Sequence, residues 1–117
     1  MDLNHLHLNA ADVAVTRRFY ETWFGFAEHA WHGDILFLRN ADGFDLALAS
    51  YGPDVEPLPR WFHAGFRLGA PGDVRELYQR MQQAGTELRS DLEDYDDYAT
   101  YRCADPDGTN VEVYWEP

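Results

Sequence analysis

Lysine is absent from this chain of 117 residues, so all nine of its basic residues are arginine. The 21 acidic residues outnumber them and give a formal net charge of −12. Without lysine the protein has no lysine Schiff base, which excludes the pyridoxal phosphate chemistry that depends on one. Because phosphate binding requires basic surface, the charge also argues against a nucleic-acid partner. It further predicts that a bound molecule is neutral or cationic rather than anionic.

Cysteine and long apolar runs are also scarce. Cys103 is the only cysteine, so no internal disulfide is possible and a reducing compartment is the simpler expectation. No apolar run approaches the roughly 20 residues of a membrane-spanning helix. The N-terminus has no basic segment followed by an apolar stretch, which is the pattern of a secretory signal. These absences predict a cytoplasmic protein with no membrane partner.

Hydrophobic residues make up 45% of the chain and aromatic residues 15%, which is enough for a buried core.

The first half of the sequence predicts a β-α-β-β-β unit. Residues 3–9 alternate as a strand, and Asp12 can cap a helix that runs to Phe24 and ends at Gly25. Alternating runs then predict three short strands, at residues 26–31, 34–39 and 44–50.

The second half repeats this order after a proline-containing linker at residues 52–60. A strand at 62–68 precedes a helix that Asp73 is predicted to cap and that ends at Gly85. Three more strands are predicted at residues 86–92, 98–103 and 109–115. We interpret the chain as one α+β domain, 1–117, built by tandem duplication from module 1 (1–51) and module 2 (61–117).

The duplication places two histidines at matching positions, because His5 and His63 both lie in the first strand of their module. Glu112 lies in the last strand, within an apolar stretch where a carboxylate needs a partner. Two imidazoles and a carboxylate can hold a divalent ion, which compensates the cost of burying the charge. The sequence therefore predicts a metal site formed by His5, His63 and Glu112.

The matching position in module 1 carries no ligand. Glu112 lies four residues after Gly108, whereas the residue four positions after Gly43 is Ala47. Three protein ligands would leave the ion open to water or substrate, which favours catalysis over a purely structural ion. Asp45 can serve as a fourth ligand only if a bulge shifts the strand register.

Strand alternation predicts which side chains surround the ion. His7 shares a face with His5 and can transfer protons near neutral pH. Ala47 leaves room for a substrate on the facing strand. Other side chains are candidates for binding a substrate or donating a hydrogen bond to it, namely Arg67, Tyr98, Tyr101 and Tyr114. Of these we assign Tyr101 a catalytic role beside His7, and we assign the other three to substrate binding. Residues 91–98, rich in acids, predict a solvated loop or a lid.

The chain resembles the vicinal oxygen chelate superfamily, which includes glyoxalase I, extradiol dioxygenases, fosfomycin-resistance transferases and bleomycin-resistance proteins. Three segments resemble the family, namely 4–8 with Asp12, 18–26, and the turn-and-ligand segment 105–112. The resemblance implies two βαβββ modules that form a cupped mixed sheet around a central metal or ligand site, often in a homodimer. It also implies a divalent ion (Zn, Mn, Fe, Co or Ni) that binds two oxygens of a small-molecule substrate.

Two functions from different classes follow from this resemblance. The first is a metal-dependent glyoxalase-like enzyme, either a lyase or isomerase or a dioxygenase, acting on a small substrate with adjacent oxygens. Ala47 argues against the four-ligand set usual in glyoxalase I, and the net charge argues against a phosphonate substrate. The alternative is a bleomycin-resistance-like protein that sequesters a small molecule, for example an antibiotic, without catalysis.

Overall fold

The computed structural model describes residues 1–117 and divides the chain into two compact units, Met1–Glu56 and Pro57–Pro117. Each unit contains one helix and one four-stranded mixed sheet. The order of elements in both units is strand, helix and three strands. The predicted α+β fold of two tandem βαβββ modules is therefore confirmed.

The first unit has the strand order β1-β4-β3-β2. The two central strands pair antiparallel, while β1 and β4 pair parallel, which brings the first and last strands of the unit side by side. The elements are β1 (His5–Asn9), α1 (Val13–Phe24), β2 (Ala27–His32), β3 (Ile35–Arg39) and β4 (Asp45–Ala49).

Local sequence explains both ends of α1. The Asp12 side chain accepts hydrogen bonds from the backbone N–H groups of Ala14 and Val15, as an N-cap does. Gly25 ends the helix with φ 69°, a left-handed conformation that glycine adopts without a steric penalty. Tyr20, on the buried side of the helix, contributes to a core completed by leucines of β3 and β4.

The second unit repeats this topology, with the strand order β5-β8-β7-β6. Its helix packs against β7 and β8 through Val74, Leu77 and Met81, which are all buried. The elements are β5 (His63–Arg67), α2 (Pro71–Gln83), β6 (Glu93–Tyr95), β7 (Tyr98–Ala104) and β8 (Asn110–Trp115).

Two details of the second unit differ from the prediction. The helix begins at Pro71 with Ala70 as its N-cap, so Asp73 lies in the first turn and is not the cap. Proline favours this start because its fixed φ suits the first helical position and its missing N–H is not needed there. A strand at 86–92 is wrong as well. This segment has only an isolated bridge from Leu88 to Cys103, and the strand lies later, at Glu93–Tyr95.

Neither helix is long and apolar enough to cross a membrane.

Candidate functional site

The sheet of the second unit has one face packed against α2 and an opposite face, called here the open face. Strand register determines which side chains share the open face, because neighbours across strands point the same way. Gly65 and Arg102 lie on either side of Glu112, and His63 lies opposite Asn110. The open face of the three long strands consists of His63, Gly65, Arg67, Tyr98, Thr100, Arg102, Ala104, Asn110, Glu112 and Tyr114.

Two of the three predicted metal ligands meet on this face. The Nε2 atom of His63 lies 3.9 Å from Oε1 of Glu112. Two metal–ligand bonds of about 2.0–2.2 Å at a tetrahedral angle separate the two donor atoms by about 3.4 Å, so the side chains would close by about half an ångström to share one ion. Gly65 keeps the space beside them open, since a Cβ there would lie 3.7 Å from the same carboxylate oxygen. Hence these donor atoms fit a divalent ion.

Hydrogen bonds orient both of these side chains. Nδ1 of His63 lies 3.2 Å from the carbonyl oxygen of Trp61, and it must donate in that bond because a carbonyl only accepts. The lone pair of a neutral imidazole is then on Nε2, the atom that faces Glu112. The hydroxyl of Thr100 donates to Oε2 of Glu112 at 3.2 Å. Outer contacts of this kind hold metal ligands in position.

His5 lies in the first unit, on the exposed side of β1. Its Nδ1 lies 2.9 Å from the side-chain oxygen of Asn4, so when it donates there Nε2 keeps its lone pair. His5 and His63 are thus oriented in the same way, each through Nδ1. The structure contains no group of three or more His, Cys, Asp or Glu side chains arranged to hold a metal.

The register of β4 explains why module 1 has no carboxylate to match Glu112. Ala47 pairs with His7, as Glu112 pairs with Gly65, so Ala47 is the structural counterpart of Glu112. Ala47 is only 1% exposed and lies in register between His7 and Phe37.

Asp45 pairs with His5 and is the counterpart of Asn110, so no bulge is needed to place it on the same face. Arg39 binds both of its carboxylate oxygens, at 2.6 and 3.0 Å. This arginine holds the pKa of Asp45 below its ordinary value. The carboxylate is therefore engaged in an ion pair.

His7 has a partner that the sequence did not reveal. Its Nε2 lies 2.9 Å from the hydroxyl of Tyr51, which follows the end of β4, and the two rings also pack together. The backbone N–H of Tyr51 donates to Asn9, which fixes this segment beside β1. An imidazole bonded to a phenol can accept or pass on a proton.

Tyr101 lies on the opposite side of β7 from the other candidates. It is 1% exposed, and its hydroxyl donates to the sulfur of Met81 in α2. Burial raises its pKa, and its ring packs against Tyr78. Strand alternation therefore directs its side chain into the core, and not to the open face where the predicted catalytic role would place it. Thr100, its neighbour, occupies the open face instead.

The three predicted substrate-binding residues Arg67, Tyr98 and Tyr114 all lie on the open face. Arg67 donates to the carbonyl oxygen of Glu116 at 2.6 Å, so a backbone group engages its guanidinium. Tyr98 lines a groove of about 420 Å³ together with Thr100, Arg102 and Glu112. One of the candidate ligands, Glu112, therefore lines this groove.

Comparison with known proteins identifies the family. The model of the glyoxalase/bleomycin resistance protein/dioxygenase superfamily matches residues 2–113. The chain belongs to this superfamily, as the resemblance of its motifs predicted.

Solved structures show the same fold. A possible glyoxalase from Bacillus cereus is 30% identical, with 97% of both chains covered and a TM-score of 0.81. A glyoxalase/dioxygenase from Nostoc punctiforme is 18% identical, with coverage of 99% of this chain and 91% of the other and a TM-score of 0.82. The oxidase ChaP-H2 is 21% identical, with coverage of 100% and 94% and a TM-score of 0.80. None of the curated proteins matches this chain at a significant level.

Proposed function

We propose that this protein is a metal-dependent glyoxalase-like enzyme that acts on a small substrate with adjacent oxygen atoms. The observation that supports this most directly is the pairing of His63 with Glu112 at 3.9 Å on the open face. The superfamily includes enzymes of several reaction types, and an oxidase is among the proteins with this fold. The reaction would be that of a lyase, an isomerase or a dioxygenase.

In this proposal His63 and Glu112 provide two ligands and His5 of the first unit provides the third. A bound divalent ion would supply Lewis-acid chemistry and positions for two substrate oxygens. Zn, Mn, Fe, Co and Ni all accept imidazole and carboxylate ligands. The carbonyl of Trp61 and the hydroxyl of Thr100 form hydrogen bonds with the two ligands and restrain their side chains.

Proton transfer is assigned to His7. Its hydrogen bond to Tyr51 gives it a second group with which to exchange a proton, and both side chains are exposed. A neutral imidazole has one nitrogen that accepts a proton and one that donates a proton, so it can both remove a proton and return it. Tyr98, Tyr114 and Arg67 would contact the substrate from the open face of the second unit.

We also propose that the protein acts in the cytoplasm as a homodimer. Cys103 is free and buried, which suits a reducing compartment. The edge strands β2 and β6 leave backbone groups that can pair with another chain. The family resemblance adds the homodimer as its usual assembly.

A second candidate is sequestration of a cationic aromatic molecule without catalysis. The observation in its favour is the edge strand β6, where Tyr95 is 59% exposed beside Asp94 and Glu93. An exposed ring next to carboxylates can attract a cation by stacking and by charge.

Elemental analysis of protein purified without chelator tests the first proposal. We expect about one equivalent of metal in the wild type, and loss of metal in His63→Ala and Glu112→Gln, because each substitution removes one ligand. Glu93→Gln is the matched control, since Glu93 lines the groove that contains Glu112 but is not a proposed ligand.

The metal-loaded protein would then be screened for lyase, isomerase and dioxygenase activity. No metal in the wild type, even after incubation with each candidate ion, would contradict the enzyme proposal. Binding of a cationic drug by that metal-free protein, measured as a rise in melting temperature, would support sequestration instead.

A further inference from the structure

A second groove on the open face is lined by arginine in a protein whose net charge is −12. Its lining consists of Arg60, Arg89, Arg102 and Asn110, and its volume is about 520 Å³. None of these lining residues is acidic. We call this feature the arginine groove.

Arg102 is the arginine of this groove that lies on β7, beside Glu112. Its backbone is fixed on both sides, because its N–H donates to Ser90 Oγ and its carbonyl accepts from the N–H of Arg89. Its side chain is half-buried and lies opposite Glu112, yet it forms no ion pair with that residue or any other. A partly desolvated guanidinium without an acceptor gains from binding an oxyanion, which accepts two of its hydrogen bonds at once.

A hydrogen-bond frame holds the other two arginines. Nη1 of Arg89 donates to the side-chain oxygen of Asn110 at 3.1 Å, while Glu87 binds its Nε and Nη2. The amide of Asn110 donates in turn to the carbonyl oxygen of Arg60 at 2.9 Å. Asn110 therefore ties the Arg60 backbone and the Arg89 side chain to β8, which reduces the entropy lost when a ligand binds.

The arginine groove adjoins the candidate metal ligands. Arg89 and Arg102 line both this groove and the one that contains Glu112 and Thr100. A molecule with two oxygens at the proposed metal ligands can thus extend an acidic group along the open face to Arg102.

We propose that the arginine groove binds an oxyanion, either a carboxylate or a phosphate, and that the substrate of this protein is acidic. This inference rests on the proposed function for the position of the rest of the substrate, but binding of the oxyanion itself does not need the metal. It differs from the expectation drawn from the net charge, which favours a neutral or cationic molecule. The arginines of the groove would contact the anion directly, within a few ångströms. The other charges of the protein are farther away, and salt screens their repulsion of the anion.

Binding of inorganic phosphate and of acetate, each titrated into the full chain after chelation and followed calorimetrically at low salt, tests the proposal. We expect Arg102→Gln and Arg60→Gln to weaken binding about tenfold, the effect of losing a hydrogen bond to a charged group. Arg18→Gln is the control, because it removes the same charge from an exposed position on α1. Stronger binding of phosphate identifies a phosphate site, and stronger binding of acetate a carboxylate site.

Equal binding by the wild type and both groove variants would overturn the proposal, as would no binding of either anion. Arg60 lies on the exposed connector before β5, so its variant remains informative if Arg102→Gln does not fold. Metal content and anion binding, both measured on Glu112→Gln, separate a failure of this proposal from a failure of the proposed function. Loss of metal with retained anion binding confirms both proposals, whereas retained metal and retained anion binding contradicts the metal site alone.

A metal-loaded comparison tests the substrate class. Catechol and 3,4-dihydroxybenzoate present the same adjacent oxygens, and only the second has a carboxylate. We expect the wild type to bind the carboxylate about tenfold more tightly and Arg102→Gln to lose that preference. No preference in the wild type would contradict an acidic substrate.

Discussion

At the scale of single residues, position on a strand decides role more than residue type does. Tyr101 and Thr100 are adjacent, but one lies in the core and the other bonds to Glu112. Strand alternation counted from His63 and Glu112 predicted which side chains of β5 and β8 lie on the open face. The face on which Tyr101 lies was predicted wrongly, because β7 contains no proposed ligand from which to count. The partners Trp61 and Tyr51 come from loops, which have no periodicity to reveal them.

Cys103 provides a prediction about pH. Burial, with a smaller effect from the Asp105 carboxylate, raises the pKa of its thiol from the ordinary 9.0 to about 12. The native thiol therefore stays protonated where the unfolded one ionises, so stability falls as the pH rises from about 9 to about 12. Urea unfolding at pH 8 and pH 10.5 should show this loss, and Cys103→Ala should show less of it.

Thiol labelling checks the same residue directly. At pH 8 we expect a disulfide reagent to modify the unfolded protein rapidly and the folded protein at least about a hundredfold more slowly, because thiolate is the reactive form. Rapid labelling of the folded protein would show that Cys103 is accessible and would contradict its burial.

At the scale of elements, the two helices differ in how they begin. Asp12 caps α1, whereas Ala70 precedes α2 and has no side chain to accept a hydrogen bond. The position of Asp12 was predicted because nothing before α1 competed with it. In α2, Pro71 determines the start. Asp73 lies in the first turn of the helix, but aspartate is also a common N-cap, so the sequence predicted a helix that begins after Asp73. The order of elements along the chain followed from the repeat, but the short β6 has too few residues to show alternation.

The caps predict opposite effects on the free energy of unfolding. Asp12→Ala should lower it by about 1 kcal/mol through loss of the cap. Ala70→Asp should raise it by up to about 1 kcal/mol, because the backbone at Ala70 already has φ −153° and ψ 153°, as a capping residue requires. Asp73→Ala should cost less than Asp12→Ala. Urea denaturation measures all three, and an Asp73→Ala loss that equals the Asp12→Ala loss would contradict the observed helix start.

At the scale of the whole molecule, each unit has its own apolar core between a helix and a sheet. The core of the first unit includes Tyr20 and Leu36, and that of the second includes Met81 and Val113. The proposed metal ligands lie outside both cores, on strand faces turned away from the helices. An ion bound by these ligands would therefore not be required to hold either unit together.

Removing the metal should accordingly leave the protein folded. We expect chelator to lower the melting temperature, since a bound ion stabilises only the native state, but to leave the circular dichroism at 25 °C unchanged. His63→Ala and Glu112→Gln should give the same spectrum as the wild type. Unfolding on chelation would identify a structural ion and contradict a catalytic one.

The parallel pairing of β5 with β8 also has a kinetic consequence. His63 and Glu112 become neighbours only when the first and last strands of the unit pair, and the helix and two further strands lie between them in the sequence. Contacts between residues so distant in sequence form slowly, because the intervening chain must first be ordered. A chain in which β5 and β8 have not yet paired would lack the paired ligands, so a cell's free metal would meet the finished pair only on a completed sheet.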